Sequence, residues 1–168
     1  MAADRTMGGF VGYAKTTFGE DLVSLTLFKP SDYNELHPQA FYIDIVHSQE
    51  AFMNVSGPSV SKVLRHTVKT SSSMIVIHDS LSHKQAKISY KLGGSANGHL
   101  GVKSIISAIG GDAGFHRLRI GIGRNDVDAA DYVLRKLSQH ERQIWGEDGE
   151  GVDLVLSEVE RIVGKTAG

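Results

Sequence analysis

Cysteine is missing from all 168 residues of the chain. Its absence removes a disulfide framework, thiolate-ligated zinc and a thiol nucleophile, and it fits an intracellular protein without requiring one. Long apolar runs are missing as well. None approaches the ~18 residues needed to span a bilayer, and the opening segment MAADRTMGGF has no apolar centre of the kind a secretory signal needs. A soluble protein with no membrane partner is expected, cytoplasmic or mitochondrial. Metal-ligand spacing is absent among the eight histidines, so no metal is expected. The nucleotide loop G-x-x-x-x-G-K-[ST] is lacking, and Gly121-Ile122-Gly123-Arg124 has no third glycine to complete a dinucleotide fingerprint. ATP and NAD are therefore disfavoured, and no cofactor is expected.

Net charge is also nearly absent, at -1, but it is unevenly placed. From Lys84 to Arg124 there are seven basic residues against one acidic residue, Asp112. From Asn125 onward five basic residues are outnumbered by ten acidic ones. A basic stretch of this kind is the footprint of a polyanion partner or, more plainly, a solvated face.

What is present reads as one α/β domain over residues 1–168, with 40% of residues hydrophobic and an ordinary buried core. Residues 22–28, 41–46, 74–77, 88–92 and 118–122 are rich in β-branched and aromatic side chains and are predicted strands. Val60, Val63, Leu64 and Val68 share one face of a helix starting near Pro58. Val152, Val155, Leu156, Val159, Ile162 and Val163 form a second apolar stripe at helical spacing. The alternation predicts a single-domain three-layer sandwich, a mixed and mostly parallel sheet with helices on both faces and ligands beyond the strand ends.

The densest functional signal lies in residues 93–124, GGSANGHLGVKSIISAIGGDAGFHRLRIGIGR. Glycines let backbone N–H groups approach a ligand, a helix start favours an anion, and Lys103, Arg117, Arg119 and Arg124 add phosphate-binding chemistry. Asn54 stands between a predicted strand and the following helix, either as an amide for substrate or as a helix cap. Asp79 ends the strand MIVIH and either orients a histidine base or makes a turn before Ser80. His78 precedes it but points to the opposite strand face, so the two are not expected to pair. His99 lies in the glycine turn, where it contacts substrate or stabilises the turn.

Four segments in order, FMNVSG at 52–57, MIVIHD at 74–79, KLGGSANGHLGVKSI at 91–105 and HRLRIGIGR at 116–124, resemble the successive signatures of the bacterial-type peptidyl-tRNA hydrolases. The segment DAADYVLRKLS at 128–138 is similar to the helix that follows in that family, so the resemblance covers roughly residues 5–140. It implies an esterase that releases peptide from the 3′ end of tRNA without a metal, with tRNA as partner and the chain a monomer unless a partner replaces a strand. By the same resemblance Asn54 positions water and peptide, Asp79 orients the base, and Phe52 and Met53 line the channel. Gly98 and His99 match the channel's glycine and histidine, and Lys103, Arg119 and Arg124 meet the acceptor end of tRNA.

The chain departs from the pattern at named positions. Asp4 to Phe10 aligns best with T-R-H-N-x-G-F, which puts Thr6 where the family carries its base, and the family's first strand and its loop are missing. Leu100 replaces the asparagine of G-H-N-G. Removing a general base costs about 100-fold to 10,000-fold in rate, so the alternative is a degenerate relative that uses its groove as a tRNA- or RNA-binding module.

Overall fold

The computed structural model of the chain describes residues 2–4, 6, 9–18, 21–30, 56–124, 132–133, 135–146 and 149–166. Its elements in chain order are strands β1 (Ala2–Asp4), β2 (Gly9–Phe18) and β3 (Asp21–Pro30), helix α1 (Ser56–His66), a single 3-10 turn at Ser71–Ser73, strands β4 (Ile75–Ser80) and β5 (Ile88–Leu92), helix α2 (Leu100–Ala108), strand β6 (His116–Gly121), and helices α3 (Gln139–Trp145) and α4 (Gly151–Thr166).

The first three strands form an antiparallel sheet in the order β1-β2-β3, with the long hairpin running from Gly9 opposite Pro30 to Phe18 opposite Asp21. The second sheet has the order β4-β6-β5. Its central strand β6 is parallel to β4 and antiparallel to β5. The mixed α/β expectation holds. Among the described strands, however, parallel pairing is confined to β4 and β6, because residues 9–30 fold back as a hairpin and β5 runs against β6.

Side chains alternate across a strand, and β6 shows the consequence. Leu118 and Ile120 are fully buried on one face against Val155 and Ile162 of α4, joined by Ile75, Ile77, Ile88, Tyr90 and Trp145. Beneath the opposite face Phe115 packs with Val102 and Ile105 of α2, bordered by Val60, Met74 and Val76. Helices therefore cover both faces of this sheet, as predicted. On the second face α1 closes tightly on α2. The Gly57 N–H donates to Ser104 Oγ at 3.0 Å and Ser61 Oγ donates to the Ala108 carbonyl at 3.1 Å. A Cβ on Gly57 would collide with the Ser104 carbonyl oxygen, so this approach requires glycine.

The periodicities misplace a few residues. α1 stops at His66 because Lys69 turns left-handed, with φ 66°, and its N–H caps the Leu64 carbonyl at 2.8 Å. Val68 thus falls beyond the helix and is exposed. Leu156 of the second stripe is also exposed, while Val155 and Ile162 carry the contact. The predicted strand 41–46 and most of the 128–138 helix lie outside the described residues. No described helix is long and apolar enough to cross a membrane.

Candidate functional site

Because β5 is antiparallel to β6, its last residue, Leu92, pairs with His116 at the start of β6. The glycine turn therefore begins at the opposite end of the sheet from Asp79, which pairs with Ile120. The chain must run back over the sheet to bring the two together. At about 3.3 Å per residue the distance from the level of His116 to that of Ile120 is ~13 Å, and residues 93–99 cover it. Gly93 and Gly94 turn with φ of 62° and 80°, a region side-chain-bearing residues seldom adopt. Asn97 and Gly98 also have positive φ, and His99 then caps α2.

At the end of that crossing three groups meet. His99 Nε2 lies 2.9 Å from Asp79 Oδ1, and its Nδ1 accepts the Val102 N–H at 3.2 Å. A backbone amide can only donate, so Nδ1 holds the lone pair and Nε2–H donates to the carboxylate. The His78 ring meets His99 edge-on, with centroids 4.6 Å apart and planes at 71°. His78 Nδ1 donates to the carbonyl of Asp79 at 2.7 Å. As expected, then, His78 and Asp79 do not join through their side chains, yet both touch His99.

Burial sets the charge states. His78 is 4% exposed. Desolvation lowers its pKa from 6.5 to about 4, the charges of His99 and Arg117 add to that, and the contacts with Asp79 oppose it. Burial alone would raise the Asp79 carboxyl, but the hydrogen bond and charge of His99 outweigh it, and its pKa falls below the ordinary 3.8. The result is an ionised carboxylate, and the hydrogen-bond directions hold the His99 ring in one tautomer, a pairing suited to general base chemistry.

The remaining predicted positions divide by exposure. Gly98 is exposed, and Leu100 is half exposed as the first residue of α2. Lys103 and Arg124 are exposed and available to an anion. Arg119 is partly covered and donates from Nη2 to Ser89 Oγ at 2.9 Å. Arg117, grouped at first with the phosphate-contacting residues, is instead buried at 1% exposure, with its guanidinium bonded to backbone carbonyls. Phe52, Met53 and Asn54 lie outside the described residues. Among the described residues no cluster of three His, Asp or Glu side chains is placed to hold a metal ion. Sequence reasoning missed the Asp79–His99 pair itself. Twenty residues separate the partners, and only the reversed direction of β5 joins them.

Comparison with known proteins decides the family. Residues 24–166 match the family model described as peptidyl-tRNA hydrolase. The chain belongs to the peptidyl-tRNA hydrolase family. It is similar to the peptidyl-tRNA hydrolase of Geobacter metallireducens, 45% identical over 93 residues, which is 55% of this chain and 47% of that protein. The one from Clostridium botulinum strain Eklund 17B is 34% identical over 112 residues, 67% of this chain and 56% of that protein. The chain thus spans about half the length of the curated relatives it matches. Among solved structures, the peptidyl-tRNA hydrolase of Acinetobacter baumannii superposes with a TM-score of 0.72 at 26% identity, over 99% of this chain and 71% of that one. A peptidyl-tRNA hydrolase complexed with N-propanol gives a TM-score of 0.69. The family match starts at residue 24, so Asp4 to Phe10 fall outside it. Thr6 is exposed in the turn between β1 and β2.

Proposed function

We propose that this protein hydrolyses the ester between a peptide and the 3′ end of tRNA, with His99 as its base and Asp79 as the anion behind it. The observation that carries this reading is the 2.9 Å Asp79–His99 contact, with the two side chains 11% and 13% exposed, beside the basic strand β6. The relatives it matches are named for the same activity.

In this reading Nδ1 of His99 takes a proton from water as the water oxygen attacks the ester carbonyl carbon. The negative Asp79 stabilises the imidazolium that forms, and the proton then passes to the departing ribose oxygen. Nδ1 is bonded to the Val102 N–H in the resting structure, so that bond must open first. At 3.2 Å it lies at the long end for an N–H donor, and a neutral bond contributes only about 1 kcal/mol net. Asn54 supplies an amide to water and peptide, with Phe52 and Met53 beside it. Gly98 and Leu100 border the channel, and Lys103, Arg119 and Arg124 meet the acceptor end of tRNA. Leu100 offers an apolar surface where the family pattern has an amide, which lowers the rate.

The test is single-turnover cleavage of an N-blocked aminoacyl-tRNA by the purified chain. Turnover that disappears in His99→Asn is the expected result; Asn keeps an acceptor for the helix cap. Tight, salt-sensitive tRNA binding with no turnover at any enzyme concentration would overturn the hydrolase reading. It would restore the binding-module alternative, which the comparisons do not favour.

A further inference from the structure

Arg117 is the largest of the side chains that are essentially fully buried, and it is a cation. It sits on β6 between Val76 of β4 and Lys91 of β5, on the face where Phe115 packs against α2. Burying a charge without compensation is costly, so a buried guanidinium needs acceptors for its donors. The Nε of Arg117 has no partner, and the acceptors of Nη1 and Nη2 all belong to one segment. Nη1 donates to the Ser95 carbonyl at 2.9 Å, and Nη2 donates to the Gly94 carbonyl at 3.2 Å and to that of Gly93. The Gly93 N–H is in turn held by the Phe115 carbonyl at 3.0 Å.

These carbonyls lie on the stretch that carries the chain back across the sheet to His99. Trans peptides are planar, so holding three successive carbonyls fixes the three peptide planes from Gly93 to Ala96. Residues 93–99 contain no helix or strand, and three of them are glycines, of which Gly93 and Gly94 lie under the Arg117 guanidinium. Arg119, two residues along on the same strand, makes no bond of this kind and reaches Ser89 on β5 instead. The guanidinium also lies close enough to His78 for its charge to act there, and His78 is the ring packed against His99.

We infer that Arg117 is a positioning residue: it holds the Gly93–Ser95 carbonyls so that the turn delivers His99 onto Asp79. This rests on the proposed role of the Asp79–His99 pair and adds that the pair's geometry is set from β6. Displacing a reacting group by about 1 Å costs about 100-fold in rate. Arg117→Lys keeps the charge but cannot serve three carbonyls from one planar fork. It should lower kcat about 100-fold while changing KM by less than about threefold.

The structural readout is the Nε2-bound imidazole proton of His99 in the NMR spectrum of the full-length protein, assigned by its loss in Asp79→Ala. It should broaden or vanish in Arg117→Lys. Gly94→Ala reaches the same turn at an exposed position, with its added Cβ in ordinary contact with Arg117 Nη2 at 3.6 Å. Gly94 sits at φ 80°, and an added Cβ would stand 3.2 Å from Lys91 Cε, so this variant should reproduce both effects even if Arg117→Lys fails to fold. An unchanged His99 proton and unchanged kcat in Gly94→Ala, or in Arg117→Lys with only its melting temperature lowered, would overturn the inference. If the unaltered protein hydrolyses nothing, the proposed activity fails alone, because the His99 proton still reports whether Arg117 sets the pair.

Discussion

Replacing Asp79 by asparagine tests the candidate site most directly, because it removes a charge and leaves the shape. The amide oxygen can still accept the His99 Nε2–H, so the tautomer and ring position have an available partner. What disappears is the anion facing the imidazolium formed during proton transfer. With an Nε2 to Oδ1 distance of 2.9 Å the charge centres are ~4 Å apart, and at an effective dielectric of ~20 their attraction is ~4 kcal/mol. Both side chains are nearly dry, so solvent screening removes little of it. A loss of ~4 kcal/mol from the transition state corresponds to about 1,000-fold in rate. Single-turnover cleavage of an N-blocked aminoacyl-tRNA at saturating enzyme reads the effect on chemistry, and unchanged tRNA binding shows that docking is intact. His99→Asn should cost about 100-fold to 10,000-fold. The double variant should be no worse than the more damaging single one, since the two residues act as a unit. Asp79→Asn within threefold of the unaltered protein, or single effects that multiply in the double variant, would show that the pair only caps α2.

Three further outcomes follow from the geometry. His78 has a folded pKa of about 4 against 6.5 unfolded, so between those values the unfolded chain binds more protons. Stability should therefore fall by about 3 kcal/mol as pH drops from 6.5 to 4. His78→Asn should flatten that slope in urea titrations, and an unaltered slope would rule out His78 as its source. Glu141 is 2% exposed, accepts Arg135 at 2.6 and 2.7 Å and completes a capping box with Ser138. Burial pushes its carboxyl up, but Arg135 and Ser138 more than reverse this and hold it at about 2. Its contribution is complete above pH 4.5 and lost only as pH falls toward 2, so Glu141→Gln should cost about 2 kcal/mol at pH 7; a cost below about 0.5 kcal/mol would contradict this. For tRNA binding, neutralising exposed Lys103 or Arg124 should reduce the slope of log K against log salt by about one each. A slope that stays constant in both variants means that this face does not meet phosphate.

Much of the frame was legible because it rests on local pattern. Residues 88–92 form the predicted strand, and 74–77, 118–122 and 22–28 are found as strands displaced or extended by a few residues. Trp145 packs on the α4 face of the core. β2 was overlooked because GFVGYAKTTF mixes small, polar and aromatic residues without clean alternation. Its strand character comes from ten residues of pairing with β3. The basic residues from Lys84 to Arg124 all read alike in the sequence. Arg117 differs from Lys103 only because β6 is central and its side chain is turned under the glycine segment.

By itself, then, the sequence determined the chemistry available: no thiol, an aspartate at a strand end, a glycine-rich turn and a basic stretch in the order of one family. Those are properties of residue type and short spacing, and they survive without coordinates. Tertiary structure alone decided which groups meet. β5 runs against β6, so the turn starts at the far end of the sheet and must recross it, and that return path puts His99 on Asp79 and Arg117 beneath the backbone. Strand direction is set by long-range pairing and burial, which no local spacing encodes.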